Sequence, residues 1–244
     1  APVCGSFRYR AVLASDYPVT GDFVACREEH GTWVIEQVLA RSGVLARKAA
    51  GRQEEQQPLA ANVDVALLVF AAETQRGFPP GLVERLLTLA HEGGVEPVIV
   101  LNKADLAPHL EPYREQARAF APGVPLLCTS ALDGPGRDAH GGLGELRALR
   151  ALLAPGRTFA LLGKSGVGKS SLLNALLGRP AARTSEIRDS DGRGRHTTTS
   201  RDLFRLPGGA LLMDSPGLRE AALWADEASV EETFPEVIAL ADAC

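Results

Sequence analysis

Phe159-Ala-Leu-Leu-Gly163-Lys164-Ser165-Gly166-Val167-Gly168-Lys169-Ser170-Ser171 is the stretch that decides the fold. An apolar strand, Thr158 to Leu162, runs into a glycine-rich turn and then a helix from Lys169 to Leu177, so G-x-x-x-x-G-K-[ST] stands in the strand-turn-helix context that its chemistry requires. A glycine-rich turn with an incidental lysine would not need those flanks. Glycines 163, 166 and 168 let backbone N–H groups turn toward a phosphate at the helix N-terminus. Lys169 adds a point charge for the β- and γ-phosphates, a catalytic as well as a binding role, and Ser170 is placed to ligate Mg²⁺. Ser165, Val167 and Ser171 complete the expected contact loop. The loop alone does not separate ATP from GTP.

The surroundings repeat one rhythm. Val63 to Phe70, Val98 to Leu101, Pro125 to Cys128 and Ala210 to Met213 are apolar runs, separated by helical patterns at Leu82 to Ala90 and Gly141 to Leu153. Continuous apolar strands alternating with amphipathic helices predict a parallel sheet covered on both faces, an α/β nucleotide-binding fold.

The base is chosen at Val98-Ile-Val-Leu-Asn102-Lys103-Ala104-Asp105, where an apolar strand delivers an Asn-Lys-x-Asp turn. One carboxylate, Asp105, accepts guanine's N1–H and exocyclic amine together, whereas adenine has neither donor there and would leave the carboxylate unpaired. Asn102 is expected to hold the base edge and tie down the loop, with the Lys103 stem over the ring. Thr129-Ser130-Ala131 follows another strand and resembles the turn whose backbone N–H meets guanine O6, which makes Ser130 and Ala131 candidate contacts. Asp214-Ser-Pro-Gly217 ends a further strand, so Asp214 can reach Mg²⁺ through water and the Gly217 N–H can meet the γ-phosphate.

Base motif, supporting turn, phosphate loop and Asp-x-Pro-Gly therefore occur at 102, 129, 163 and 214, whereas ordinary GTPases place the phosphate loop first. The motif order is circularly permuted. Such a rearrangement preserves the core when the joined ends lie close together at the surface.

Toward the N-terminus the pattern changes to short β-rich runs, Phe7 to Val12, Asp22 to Cys26 and Thr32 to Leu39, with a turn at His30-Gly31. Arg47 to Pro58 is polar without apolar periodicity and reads as a linker or mobile loop. The divisions expected are 1–58, a small all-β unit; 59–225, the permuted nucleotide-binding domain; and 226–244, the start of a C-terminal helical element. The net charge of -4 excludes a uniformly basic shell for nucleic acid, so any RNA contact is patchy. The four cysteines, Cys4, Cys26, Cys128 and Cys244, form no CxxC pair, which fits a reducing cytoplasm, and no apolar run approaches the ~20 residues of a membrane span. A monomer without a membrane anchor is expected. The first residue is Ala1, and the last, Cys244, falls in a helical-looking run, as in part of a longer protein.

With the permuted order in hand, the sequence resembles the RsgA (YjeQ) family of ribosome small-subunit-dependent GTPases. The resemblance is carried by Val19-Thr-Gly-Asp22, Val44-Leu-Ala-Arg-Lys-Ala-Ala-Gly51, Ala60-Ala-Asn62-Val-Asp64, the base and phosphate motifs, Gly194-Arg-His196-Thr-Thr-Thr199 and Asp214-Ser-Pro-Gly-Leu-Arg-Glu220. It implies an N-terminal OB-fold barrel, here lacking its first strand, a permuted GTPase domain, and a C-terminal zinc-binding domain of which Cys244 represents at most a first ligand. Zinc is thus expected in the longer protein and not in this fragment, since a structural site takes four ligands. The resemblance also implies GTP/GDP and Mg²⁺ as ligands, and as partner the small ribosomal subunit and its rRNA during late maturation. On the OB unit, Arg8, Arg10, Arg41, Arg47, Lys48 and Arg52 are candidate phosphate contacts.

Hydrolysis needs a water-orienting group. Leu218 stands where Ras-type GTPases place glutamine, and leucine cannot orient water; His196, in the polar segment 188–199, is the nearest titratable candidate, and the resemblance points to it as well. From its spacing to Asp214 in related permuted GTPases, Thr198 is the second Mg²⁺ hydroxyl, with Thr197 the alternative. Gly166 occupies the position of the asparagine that potassium-activated relatives use. The leading expectation is a GTP-hydrolysing switch stimulated by the subunit. An RNA-binding assembly module that uses GTP as a latch, with incidental turnover, is the competing one.

Overall fold

The computed structural model describes residues 1–49, 52–72, 79–131, 145–180 and 202–214. Its centre is a six-stranded sheet. In chain order the contributing strands are β5 (Val65–Ala71), β6 (Glu96–Asn102), β7 (Leu126–Cys128), β8 (Thr158–Leu162), β9 (Asp202–Arg205) and β10 (Leu211–Asp214), and they lie side by side as β7-β6-β5-β8-β10-β9. All neighbours are parallel except β9, which pairs antiparallel with β10. The sheet is therefore mixed, because the expected all-parallel array gains an edge strand that the sequence did not announce. The run Asp-Leu-Phe-Arg is short and largely exposed, so it lacks the apolar continuity that marks a buried strand.

Burial explains why the other strands were legible. Every residue of β8 is buried, as are six of seven in β5 and β6, because helices cover both faces. On one face α2 (Pro80–Glu92) inserts Leu82, Val83, Leu86 and Ala90, and α3 (Glu111–Phe120) adds Ala117. On the other, α4 (Glu145–Leu152) contributes Leu149 and α5 (Lys169–Leu177) contributes Leu172, Leu173, Leu176 and Leu177. α3 was missed by the apolar pattern. Of Glu-Pro-Tyr-Arg-Glu-Gln-Ala-Arg-Ala-Phe only Ala117 is buried; the available signal was Pro112 in the first turn.

The N-terminal part departs most from expectation. Phe7 to Val12 is not a strand: Gly5–Arg10 forms a short helix, α1, whose buried residue, Phe7, packs with Cys4 and Val34. Phe-Arg-Tyr-Arg-Ala-Val alternates as a strand would, but Arg8, Tyr9 and Arg10 all face solvent and no second apolar face exists to be buried. β1 (Val24–Glu29) and β2 (Thr32–Val38) form the expected hairpin around His30-Gly31, with both turn residues at positive φ. The stretch read as a linker is instead a second hairpin, β3 (Leu45–Ala49) with β4 (Arg52–Ala60). Its backbone hydrogen bonds need no apolar side chains, and periodicity alone is blind to that. Leu45, Leu59 and Ala60 sit in the main core, so the 58/59 division falls inside β4. The hairpins make two separate two-stranded sheets; among the described residues isolated bridges, Val3 with Ile35 and Thr20 with Ala60, tie them to neighbouring segments.

The N-terminal turn is bolted to the sheet. Arg41 grips Asp22 through both carboxylate oxygens at 2.7 Å and donates further to the Ser15 and Tyr17 carbonyls at 2.6 and 2.8 Å. Asn62 donates to the Gly21 carbonyl at 2.9 Å and accepts from the Ser42 N–H at 3.0 Å. Gly21 has φ +94°, and a Cβ there would collide with the Ala61 carbonyl and the Met213 side chain. Among the described residues no helix is long and apolar enough to cross a membrane.

Candidate nucleotide site

Four carboxyl ends of parallel strands meet at one edge of the sheet. β6 ends at Asn102, β7 at Cys128, β8 at Leu162 and β10 at Asp214, which is where an open α/β sheet offers its ligand crevice. After β8 the chain turns through Gly163, Gly166 and Gly168, all at positive φ, and enters α5 with Gly168 at its N-cap; the first helical bond runs from the Leu172 N–H to the Gly168 carbonyl at 2.9 Å.

The glycines do different work. A Cβ on Gly163 would strike the Val69 carbonyl, and one on Gly168 would strike the Asn102 amide, while at Gly166 a Cβ would meet open space. The loop is thus packed against β5 and β6 at its two ends and open in its middle. Ser165 and Gly166 are exposed, Val167, Ser170 and Ser171 half-buried. Lys169 is buried, and its ammonium donates to the Gly163 and Lys164 carbonyls at 2.6 Å each. Those bonds fold the lysine over the loop it is expected to serve.

The base motif lies against the phosphate loop. Lys103 takes a left-handed backbone (φ 59°) and starts the short turn Ala104–Leu106, which carries the half-buried Asp105. Asn102 is buried: its Nδ2 donates to the Val167 carbonyl at 2.9 Å, and its Oδ1 accepts from the Thr129 hydroxyl at 3.3 Å. Its side chain ties the base turn to the phosphate loop, the second of the two roles expected of it. Ser130 is buried and its Oγ has no hydrogen-bond partner among the described residues; Ala131, beside it, is half-buried. Asp214 is buried at the end of β10.

These features suit a guanine nucleotide with its magnesium. The loop is glycine where it closes on the Val69 carbonyl and the Asn102 amide and open at Gly166 between them, and among the described residues a buried hydroxyl without a partner, Ser130 Oγ, lies beside the base turn. Asn102, Lys103, Asp105, Ser130, Ala131, the loop from Gly163 to Ser171 and Asp214 are brought together at this edge. His196, Thr198, Gly217 and Cys244 lie outside the described residues, as does the helical-looking run 228–244.

The family model described as RsgA GTPase matches residues 38–224. The chain belongs to that family. A curated relative from Syntrophotalea carbinolica, named small ribosomal subunit biogenesis GTPase RsgA, is 42% identical over all of this chain and 66% of its own length. Relatives of the same name from Opitutus terrae and, as RsgA 1, from Oceanobacillus iheyensis are 40% and 36% identical, with all of this chain matched and 66% and 67% of theirs. The chain thus spans about two thirds of the length of these family members. Among solved structures, YjeQ from Thermotoga maritima superposes with a TM-score of 0.60 at 29% identity, covering 90% of this chain and 66% of that one. YloQ, described as a circularly permuted GTPase, superposes at 0.53 with 24% identity over 88% of this chain and 61% of its own, and so shares the fold.

What pattern reading missed are the bonds to Asn102: Thr129, quoted only as part of the Thr129-Ser130-Ala131 turn, braces it through its hydroxyl, and Val167, expected only as part of the contact loop, receives its amide at the carbonyl. The bond to Val167 joins residues 65 apart in the chain, so no local spacing could announce it. Of the arginines expected to meet phosphate on the N-terminal unit, Arg41 is withdrawn because Asp22 and two carbonyls engage its guanidinium. Arg8 is exposed; Arg10 donates to the Ser6 and Glu36 carbonyls and Arg47 to Gln57. The side chains of Lys48 and Arg52 lie outside the described residues.

Proposed function

We propose that this chain binds and hydrolyses GTP as a switch in the maturation of the small ribosomal subunit, its turnover stimulated by that subunit. The observation that supports the reading is the Asn102 to Val167 bond, which ties the Asn-Lys-x-Asp turn to the glycine-rich loop. Asp105 selects guanine by accepting two donors, Ser130 and Ala131 edge the base, Lys169 and the loop N–H groups bind the phosphates, and Ser170 with Thr198 would hold the magnesium that supplies charge neutralisation on the phosphates. Asp214 would act on that ion through water, and the Gly217 N–H on the γ-phosphate. His196 orients the attacking water. The segment before β5, read from the resemblance as an OB unit, contacts RNA and the GTPase domain follows it, in a protein that works in the cytoplasm.

Support comes from the family match, the names of the relatives and the permuted order of motifs around this corner. The test is equilibrium binding of GDP against ADP, followed by GTP hydrolysis with and without purified small and large subunits. Preference for GDP and a rate that rises only with small subunits is the expected result. A flat rate would return the latch reading, and equal binding of ADP would remove the guanine assignment.

A further inference from the structure

We infer that the turn at residues 20–22 is a positioning element of the nucleotide site: through Gly21 it bears on the side chain of Met213, and Met213 holds the next residue, Asp214, where its carboxylate can act on a phosphate-bound magnesium ion. This role rests on the proposed reading of the corner as a guanine-nucleotide site with its metal. β10 is short. Its register with β8 runs Leu211 to Thr158, Leu212 to Phe159 and Met213 to Ala160, while Asp214 stands opposite Asp202 of β9, an edge strand that is largely exposed. The pairing with β8 thus reaches Met213 and not the carboxylate beyond it, so the setting of Asp214 depends on how firmly Met213 is held.

Met213 is the chain's single methionine; it is 1% exposed and belongs to the core on the α2 face of the sheet. Its neighbours in the same row across the sheet, Ala160 and then Ala66, are both small, which leaves the sheet face low beside it. A long, unbranched thioether fills such a gap and takes its shape from whatever closes on it. Here that is Gly21, since a Cβ on the glycine would run into the Met213 methyl. The turn is itself anchored: Ala61 donates its N–H to the Thr20 carbonyl at 3.0 Å, Asn62 donates to the Gly21 carbonyl at 2.9 Å, and Asp22 accepts from the Val19 N–H at 2.7 Å. A displacement of the turn is therefore passed to Met213 and, one peptide unit on, to Asp214. Mg²⁺ demands near-octahedral geometry and responds to how its outer contacts are held, so a carboxylate acting on it through water tolerates little shift. The N-terminal unit thus reaches the metal half of the site through one side chain.

The experiment titrates the whole chain, Met213→Ala and Met213→Leu with a non-hydrolysable GTP analogue, in magnesium and again in EDTA. All three should bind within about twofold of one another in EDTA, whereas the gain in affinity that magnesium brings should fall about fivefold for alanine and less than about twofold for leucine, which keeps the volume. A general loss of packing would weaken binding in both buffers alike. An equal loss in the two, or a full magnesium gain in Met213→Ala, would overturn the inference. If the alanine chain does not fold, Met213→Val replaces it and is compared with leucine in the same way. The part played by the turn is read from the methyl signal of chain labelled with methyl-¹³C methionine, assigned by its absence from Met213→Leu. Asn62→Gly, which keeps the positive φ of residue 62 accessible but removes the donor to the Gly21 carbonyl, should move that signal. A signal that stays in place would show that the turn does not set Met213. Should magnesium bring the parent chain no gain in affinity, the reading on which the role rests would fail instead.

Discussion

The nucleotide corner is a network of buried polar groups and the N-terminal junction one of part-buried groups around the Asp22 carboxylate, and they differ in what they leave over. At the junction the Arg41 guanidinium meets Asp22, Ser15 and Tyr17, Asp22 also accepts from the Val19 N–H at 2.7 Å, and the Asn62 amide is matched at both ends. At the corner the Asn102 amide is matched likewise, but among the described residues Ser130 Oγ has no partner and a Cβ at Gly166, in the middle of the loop, would meet no atom. A closed network holds segments together, and an open one has capacity for a ligand. Substitutions in the two places should therefore fail in different assays.

The largest expected effect is at the open network. Lys169→Ala should lower GTP affinity and single-turnover hydrolysis together, by roughly 10²- to 10³-fold, because a charged donor aimed at developing phosphate charge is lost. Unchanged turnover would take the loop out of the chemistry. Next comes the closed network. The Asp22 side chain is 1% exposed, so Arg41→Ala leaves a buried carboxylate uncompensated and should destabilise the fold by about 3 kcal/mol. Thermal melting reads that loss, while GDP affinity measured well below the melting temperature should stay at the parent value. A large drop in affinity of the folded Arg41→Ala chain would break the comparison, since the junction would then be part of the nucleotide site.

Asp105→Asn is the smaller change at the corner. Losing a charged acceptor should weaken GDP by about 1.5 to 3 kcal/mol and improve xanthosine diphosphate, whose extra oxygen suits the amide's donor. Half-buried Asp105 should change the melting temperature little. Competition titrations with guanosine, xanthosine and adenosine diphosphates check the selectivity, and retained guanine preference would reassign the base contact.

The same contrast explains what the sequence could and could not say. Thr158 to Leu162 and Lys169 to Leu177 were readable to the residue, because strands buried on both faces must be continuously apolar and a phosphate loop demands glycines at defined positions. The candidate set at Asn102, Asp105, Ser130, Lys169 and Asp214 was legible for that reason. α1 and the β3–β4 hairpin were not: Phe7 is the one buried residue of α1, and β4 opens Arg-Gln-Glu-Glu-Gln-Gln, so backbone pairing rather than side-chain burial decides the element. The ties themselves, Asn102 to Val167 and Arg41 to Asp22, bridge 65 and 19 positions and exist only once the chain has folded.

The smallest effect is the sharpest control on burial. Arg27 donates to Glu36 Oε1 at 2.6 Å, as short as any bond of Arg41, and a list of distances would rank the two arginines alike. Their settings differ: Arg27 and Glu36 are 55% and 42% exposed on the β1–β2 hairpin, against 15% and 1% for Arg41 and Asp22. Water and salt compete for the first pair, and fixing two long side chains costs entropy that offsets what attraction remains. Truncating Arg27 strands nothing, because Glu36 is rehydrated at once. Arg27→Ala should therefore leave the melting temperature unresolved from the parent's, and raising the salt concentration should not separate them further. Arg41→Ala, melted in the same buffers, should keep its deficit at every salt concentration. If Arg27→Ala instead melts as low as Arg41→Ala, the short bond rather than the buried carboxylate sets the stability of this half of the molecule, and the closed network at the junction loses its claim to hold it.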